Sequence, residues 1–319
     1  MNYVFLISQP RSGSTLLQRL LHEHSDIATT GEPWFLLPAL KGDLDFKVVG
    51  KTTYDAKLAN KAIQEFVLGN SMDEHRKTCY LNLYKSICVE ITKRQSSKIF
   101  LDKTPRYYLI ISELRRAFPS AKIVILTRNP MDVFNSILNT WVKKSYGLLA
   151  QHKQDLFLAP KLLSEELEKS KAYHIKYEDL ISNPRKAMVS LCAFLNIDYD
   201  DNLMLINGNK DWLLGDPKMN DLKNVDSTKK DQWLEGLTPQ KWRFYSDYIN
   251  SAEAEYHKAL GYGIEDYQMQ LKKNRPNKLA LLFTIDLSFY MSGFARLILS
   301  PVHKKLRIYK TKLKSIGFK

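Results

Sequence analysis

The stretch SQPRSGST, residues 8–15, decides how the rest of this chain is interpreted. It follows a short apolar run, Tyr3–Ser8, and precedes Ser14–His24, where leucines recur at helical spacing. An apolar strand, a Pro/Gly/Ser loop and an amphipathic helix are the opening of an α/β fold. The backbone N–H groups of residues 12–15 would then point at an anion bound where the helix begins.

The loop matches the nucleotide-triphosphate pattern, GxxxxGK followed by Ser or Thr, only in part. Gly13 and Thr15 fit, but Ser8 and Ser14 stand where the pattern has its first Gly and its Lys. Without that Lys, an enzyme acting on a β/γ-phosphate loses its main cation. Arg11, two residues before the glycine, is the cation that this loop offers. The loop therefore predicts an anion site that is not an ordinary NTPase site, and a plain strand-to-helix turn is the alternative.

Further apolar runs predict a mostly parallel central sheet with helices on both faces, a three-layer α/β fold. The strand candidates are Ile99–Leu101, Lys122–Thr127 and Tyr173–Tyr177. Helical patterns separate them, at 56–69, 73–94, 106–117, 130–142 and 184–195. A longer helix is predicted over Pro239–Leu260, with Thr238 as its N-cap. Such sheets bind ligands at the carboxyl ends of their strands.

The charge is concentrated at one end of the chain. The whole sequence has 319 residues and a formal charge of +14. Residues 272–319 hold twelve Lys/Arg and a single acid, Asp286, whereas residues 1–271 are nearly neutral. This distribution argues against a nucleic-acid-coating protein. It predicts a working domain, 1–271, and a basic, partly apolar tail, 272–319.

The tail allows two interpretations. Its apolar run, 279–299, contains Asp286 and Arg296, which make a membrane span expensive. An amphipathic helix followed by a basic run would instead bind an anionic membrane surface through residues 279–319. The alternative is a helix packed on the body, with a solvated basic end.

The cysteines and the first residues predict a cytoplasmic protein, peripheral on the cytoplasmic face of the membrane if the tail binds there. The three cysteines, Cys79, Cys88 and Cys192, form neither a disulfide framework nor a metal-ligand cluster. The N-terminal run MNYVFLISQP lacks the basic start of a signal peptide and is interpreted as the first strand.

Four segments, in order, resemble the PAPS-dependent sulfotransferases. PRSGSTLLQRLL resembles their 5′-phosphosulfate loop, and DKTPRY, residues 102–107, their Lys-Thr/Ser-Pro element. LTRNPMDVFNSIL, residues 126–138, resembles their 3′-phosphate segment, and IKYEDLISNPRKAMVSLCAFLNI, residues 175–197, their YEDL stretch. The four together cover roughly residues 1–200 and are far more specific than any one alone. The resemblance implies a fold like that of P-loop NTPases, with PAPS (3′-phosphoadenosine 5′-phosphosulfate) as sulfuryl donor and no metal.

The resemblance also implies roles for individual residues. Arg11 and the loop residues Ser12, Gly13, Ser14 and Thr15 would bind the 5′-phosphosulfate. Lys103 would be a second cation on the sulfuryl group, with a solvated loop lysine as the alternative. Arg128 and Ser136, eight residues apart, would bind the 3′-phosphate. Ser136 could equally be an ordinary helix-surface serine.

The general base is less clearly marked. Glu32 stands in a GE element similar to that of the tyrosylprotein branch, where resemblance implies a base role; a structural salt bridge is the alternative. His22 and His24, near the end of the first helix, are weaker candidates.

The C-terminal element departs from the family pattern. Residues 225–237, VDSTKKDQWLEGL, lack the glycines of the RKGxxGDW element found in cytosolic members. Ser227 and Lys230 are the candidates there for contacting the nucleotide.

These observations predict a sulfotransferase that moves a sulfuryl group from PAPS to a hydroxyl of a carbohydrate, or of another biosynthetic glycan or lipid. The alternatives are a tyrosylprotein-type sulfotransferase, a P-loop nucleotide kinase or phosphotransferase, and a membrane- or anion-binding scaffold on the same fold.

Overall fold

The structure is a computed structural model that describes residues 1–41, 72–143, 146–169, 171–205, 226, 230–282 and 284. The helix predicted at 56–69, Ser227 and most of the predicted tail, residues 283 and 285–319, lie outside these residues. No described helix is long and apolar enough to cross a bilayer.

The chain divides into two compact units. The first contains Met1–Asn129 and Leu158–Lys230, and the second contains Pro130–Phe157 and Asp231–Lys319.

The first unit is built on a five-stranded sheet in which every pairing is parallel, with the order β2-β3-β1-β4-β5. The strands are β1 (Asn2–Ser8), β2 (Ile27–Thr29), β3 (Ile99–Lys103), β4 (Lys122–Thr127) and β5 (Tyr173–Lys176). The mostly parallel sheet is confirmed, but β2 was not predicted. β3 runs two residues beyond its predicted end and so includes Lys103, while β5 ends one residue early.

The described residues form twelve α-helices. They are α1 (Ser14–His22), α2 (Leu36–Lys41), α3 (Met72–Arg94), α4 (Ile111–Ala117), α5 (Pro130–Ile137), α6 (Ala159–Lys169), α7 (Tyr177–Ser182), α8 (Pro184–Leu195), α9 (Pro239–Ser251), α10 (Ala254–Ala259), α11 (Ile264–Lys273) and α12 (Lys278–Leu282). Only α5 and α9–α12 belong to the second unit.

Shorter helical turns join these elements. They are 3-10 turns at Pro105–Ile110, Tyr146–His152, Asp201–Met204 and Gln232–Leu234, and π-helical turns at Leu138–Val142 and Gln154–Leu158.

Three predicted helices are interrupted. The 106–117 helix is a 3-10 turn followed by α4, because Pro105 begins a tight turn directly after β3 and the Tyr107 N–H donates to the Thr104 carbonyl. The 130–142 helix changes from α5 to a π-helical turn at Leu138. The 239–260 helix breaks at residues 252–253, where the backbone is extended.

Alternation along the strands gives the sheet two apolar faces within the first unit. Val4 and Leu6 of β1 belong to a core that also contains residues of α1 and α8. Phe5 points to the other face, where its ring contacts Phe118 at the end of α4. Tyr84 of α3 contacts Phe100 of β3 on that same face. The helices therefore cover both faces, as predicted, and the strand ends are left as the place for chemistry.

Candidate active site

The loop after β1 turns through two residues in the left-handed region. Arg11 has a φ of 71° and Gly13 a φ of 92°. Glycine adopts this conformation without penalty, whereas a side chain such as that of Arg11 costs on the order of 1–2 kcal/mol. The Ser12 N–H donates to the Gln9 carbonyl at 3.3 Å and closes the turn. A strained arginine is thus held at the tip of the predicted anion loop, a location typical of functional strain.

The start of α1 presents backbone donors. The N–H groups of Gly13, Ser14 and Thr15 donate to no backbone oxygen of the described residues. They form the anion cradle expected where a helix begins. The cradle that was predicted over residues 12–15 therefore has one donor fewer, because the Ser12 N–H donates to the Gln9 carbonyl within the loop.

Two serine hydroxyls of this loop are buried without a hydrogen-bond partner among the described residues. They are the Oγ atoms of Ser8 and Ser12. A buried polar group is normally satisfied, so two unused hydroxyls in this loop are consistent with a loop that receives a polyanion.

Lys103 is the last residue of β3 and its side chain is fully buried. Its Nζ donates to Glu32 Oε1 at 2.6 Å and to Thr15 Oγ1 at 3.3 Å. The alternative of a solvated loop lysine is therefore wrong. Lys103 contacts the phosphate loop and the candidate base at the same time.

Among the residues that the structure describes, Glu32 accepts from two donors, one on each carboxylate oxygen. Its Oε1 accepts from Lys103, and its Oε2 accepts from the Trp34 indole N–H at 3.0 Å. The Arg106 guanidinium lies 5.7 Å from the Trp34 ring centre. The salt bridge considered for Glu32 is thus present, and its partner, Lys103, is another of the predicted catalytic residues. The role as base stays a prediction.

Arg128 follows β4 and packs against the phosphate loop. Its guanidinium lies 4.4 Å from the centre of the Tyr177 ring, and its Nη1 donates to the Arg11 carbonyl at 3.4 Å. Glu178 Oε1 accepts from the N–H of Asn129, the next residue. The first two residues of the YEDL stretch therefore fix the start of the predicted 3′-phosphate segment.

Ser136 lies on α5, in the second unit, so its pairing with Arg128 stays a prediction. Within that unit, α5 holds the segment that begins at Asp231. The Asp132 carboxylate accepts from the N–H groups of Asp231 at 3.0 Å and Trp233 at 2.9 Å. The Asn135 side-chain oxygen accepts from the Tyr245 hydroxyl at 2.7 Å.

The structure describes Lys230 and His24 among the remaining candidates, but not Ser227. Ser227 lies outside the described residues and Lys230 is exposed, so their contacts with a nucleotide stay predictions. His24 is a structural residue: its Nδ1 accepts from the Asp26 N–H, and its Nε2 lies 2.8 Å from the Asp198 carbonyl.

Sequence reasoning missed the neighbour of Lys103. Asp102 is buried and accepts from the hydroxyls of Tyr84 at 2.7 Å, Thr104 at 3.0 Å and Tyr107 at 3.2 Å. The only signal for it was a carboxylate beside the predicted catalytic lysine in DKTPRY.

A substitution at Gly13 tests the close packing of the loop. A Cβ there would lie 2.5 Å from the Tyr177 ring, in a backbone conformation that side chains rarely adopt. We expect Gly13→Ala to lower the melting temperature by several degrees and to weaken anion binding at least tenfold, because the loop or the ring must move. Thermal unfolding and calorimetric titration with PAP (adenosine 3′,5′-bisphosphate) measure both effects.

Gly236→Ala is the matched control. Gly236 also has a positive φ, of 59°, but a Cβ there would meet nothing within 4 Å. If the two variants lose equal stability, backbone strain alone explains the loss, and the contact with Tyr177 does not matter.

The comparisons with known proteins agree with this geometry. A family model described as "Sulfotransferase family" matches residues 3–201, more than half of the chain. The nodulation protein NoeE of Sinorhizobium fredii is 25% identical over 284 residues, which cover 80% of this chain and 66% of that protein. Protein-tyrosine sulfotransferase 1 of Danio rerio is 24% identical over 213 residues, which cover 64% of this chain and 56% of that protein. The matched regions thus span less than two thirds of the length of each of these curated relatives.

A solved structure shows the same fold. The sulfotransferase domain of the Synechococcus PCC 7002 olefin synthase superposes with a TM-score of 0.54 at 22% identity, covering 75% of this chain and 89% of that one. The four ordered motifs, the parallel sheet and the match over residues 3–201 give one conclusion. This chain belongs to the sulfotransferase family.

Proposed function

We propose that this protein transfers a sulfuryl group from PAPS to a hydroxyl acceptor. The observation that carries the proposal is the position of Lys103. Its fully buried ammonium joins Thr15, at the start of the phosphate-loop helix, to the Glu32 carboxylate. A buried ammonium between an anion cradle and a carboxylate suits a reaction in which an anionic group is transferred as a proton is removed.

The residues present fit the phosphates of PAPS. The N–H groups of Gly13, Ser14 and Thr15, with Arg11, would bind the 5′-phosphosulfate. Arg128, whose guanidinium lies 4.4 Å from the centre of the Tyr177 ring, would bind the 3′-phosphate through paired hydrogen bonds. The buried, unused hydroxyls of the loop are donors that such a ligand could satisfy.

The reaction needs little covalent participation by the protein. The acceptor oxygen attacks sulfur, and a new O–S bond forms while the bond from sulfur to the bridging phosphate oxygen breaks. The electron pair leaves with the 5′-phosphate of PAP, and the acceptor proton passes to Glu32. Arg11 would stabilise charge on the leaving phosphate and Lys103 would stabilise charge on the sulfuryl oxygens, as positioned cations do in phosphoryl transfer.

For the acceptor we propose a hydroxyl of a carbohydrate, or of another biosynthetic glycan or lipid. A protein tyrosine is the second candidate, which the similarity to a protein-tyrosine sulfotransferase of Danio rerio favours. Family membership argues against the nucleotide-kinase alternative. Kinase chemistry would also need a Lys at position 14, where this chain has Ser14. A panel of mono- and oligosaccharides, a glycolipid and a tyrosine peptide separates the two acceptor classes.

Ligand-dependent melting tests the donor. We expect PAP at a hundred times its Kd to raise the melting temperature by about 5 °C or more, because saturating binding at that ratio adds about 2.7 kcal/mol. At the same concentration, ADP, which lacks the 3′-phosphate, should give less than half of this shift in melting temperature. Adenosine 2′,5′-bisphosphate, with the same charge in another position, is the matched control and should resemble ADP. Equal shifts with all three nucleotides would contradict the proposed 3′-phosphate site.

A further inference from the structure

Asp102 and Lys103 occupy the last two positions of β3 and point to opposite faces of the sheet. Lys103 points to the α1 face, where it meets Thr15. Asp102 points to the α3 face, where it meets Tyr84. Both side chains are fully or almost fully buried. The end of one strand thus carries a buried cation and a buried carboxyl group side by side, and the proposed reaction has used only the cation.

Three hydroxyl groups hold the Asp102 carboxylate, and they come from different parts of the first unit. Tyr84 belongs to α3, whereas Thr104 and Tyr107 lie at the start of the 3-10 turn after β3. Tyr107 also accepts from the Leu36 N–H, at the start of α2 and four residues after Glu32. The Asp102 cluster therefore connects the strand that carries Lys103 to the segment that carries Glu32.

Burial disfavours the negative charge of Asp102, whereas its hydrogen bonds and the charge of Lys103 favour it. Burial raises the pKa of Asp102 to about 6, while the bonds from Tyr84, Thr104 and Tyr107 and the charge of Lys103 act in the opposite direction. Burial also keeps the pKa values of Tyr84 and Tyr107 well above the usual value, and it raises that of Cys88, the other titratable neighbour on α3, to about 12. Between pH 5 and 8, Asp102 is therefore the group of this cluster that titrates.

The negative charges beside Lys103 change during the proposed reaction. Glu32 is its ion-pair partner and loses its charge when it takes up the acceptor proton. The sulfuryl group, the other anion that Lys103 would contact, leaves with the acceptor. A fully buried ammonium that loses both counter-charges is strongly disfavoured and would tend to lose its own proton. The pKa of Asp102 responds to the charge of Lys103, and this interaction is reciprocal.

We propose that Asp102 is a positioning residue: its buried carboxylate keeps Lys103 protonated while Glu32 carries the acceptor proton, and its hydroxyl cluster fixes the end of β3. This inference rests on the proposed function of Lys103 and Glu32. It assigns a purpose to a buried charge that the fold alone does not require.

A double-mutant cycle tests the proposal. The readout is sulfate released from ³⁵S-labelled PAPS to water, which needs no identified acceptor, and to the most active acceptor of the panel. We expect Asp102→Asn to lower kcat about tenfold while the Kd for PAP changes less than twofold. In a Lys103→Met background, Asp102→Asn should have no further effect, because the carboxylate acts through that lysine.

The pH dependence gives a second signature. The ratio of wild-type to Asp102→Asn kcat should be about ten at pH 8 and should approach one near pH 5, because the wild-type carboxyl group is then protonated as well. Other groups that titrate do so in both proteins and cancel in the ratio.

Stability should move in the opposite direction from activity. The folded pKa of Asp102 lies above its ordinary value, so this group's contribution to stability is complete below about pH 4 and is lost as the pH rises through 6. At pH 8 the wild type therefore bears a buried charge that Asp102→Asn lacks, and the variant should melt no lower. Glu166→Gln, which breaks the 2.7 Å ion pair with Arg115, is the control that should lose stability and keep kcat.

The outcomes are distinguishable. A wild type that releases no sulfate from PAPS under any condition overturns the proposed function, and this inference with it. A wild type that turns over while Asp102→Asn matches it overturns the inference alone. The same holds if the tenfold loss persists in the Lys103→Met background, or if Asp102→Asn melts lower and loses activity only in proportion. Tyr84→Phe, which keeps the charge and removes one donor, should fall between the wild type and Asp102→Asn.

Discussion

Lys103→Ala is expected to lower kcat by about 10²–10³-fold and to change the Kd for PAP by less than threefold. In the proposed reaction its ammonium, held between Thr15 and Glu32, would act on the sulfuryl group, which PAP lacks, so the loss should fall on the transition state. Removing one preorganised charged donor from a buried site typically has an effect of this size. Labelled-sulfate transfer gives kcat, and calorimetry gives the affinity for PAP.

Lys103→Arg is the control for charge. It keeps the cation but replaces a compact ammonium with a larger planar group in a fully buried site, so partial activity is expected. If Lys103→Ala loses PAP affinity and turnover by the same factor, Lys103 binds the nucleotide rather than acting on the transferred group.

Arg128→Ala should show the reverse pattern, with PAP affinity about 100-fold weaker and kcat at saturating PAPS within about threefold of the wild type. Two charge-assisted hydrogen bonds to one phosphate account for a loss of this size. ADP affinity should hardly change, because ADP lacks the phosphate that Arg128 would bind. Titration of the variant with both nucleotides measures this selectivity.

The packing of Arg128 requires its own control. The guanidinium covers the Tyr177 ring and contacts the phosphate loop through the Arg11 carbonyl, so Arg128→Ala also removes contacts. Arg128→Lys keeps the charge without the planar face and should recover only part of the PAP affinity. A parallel fall in PAP and ADP affinity would show that Arg128 supports the loop instead of reading the 3′-phosphate.

The fold could be predicted where its signal is local. The apolar run 3–8, the loop after it and the leucine spacing of α1 are all contiguous, and the alternation of strands and helices predicts the parallel sheet. β2 was missed because three residues, Ile27–Thr29, are too few to show a period. β3 was predicted too short because Asp102 and Lys103 look like the start of a loop.

The candidate site could be predicted only as a set of residues. The buried ammonium of Lys103 depends on Glu32, which lies 71 residues away in sequence. The buried carboxylate of Asp102 depends on Tyr84, which lies 18 residues away. No local pattern reports such partners. For the same reason, the motifs indicated Arg128 but not its packing on Tyr177. The resemblance supplied the roles, and the tertiary contacts supply the reason why polar groups at these positions are buried.

Transfer of ³⁵S-sulfate from PAPS is the most direct test of the central claim, that this chain uses PAPS as a sulfuryl donor at the site of Lys103. The wild type should transfer label to at least one hydroxyl acceptor of the panel, or release it to water, with PAP as a competitive inhibitor against PAPS. Lys103→Ala should bind PAP normally and transfer at least 100-fold more slowly. Full transfer by Lys103→Ala, or a wild type that binds PAP tightly and transfers no label at all, would contradict the claim.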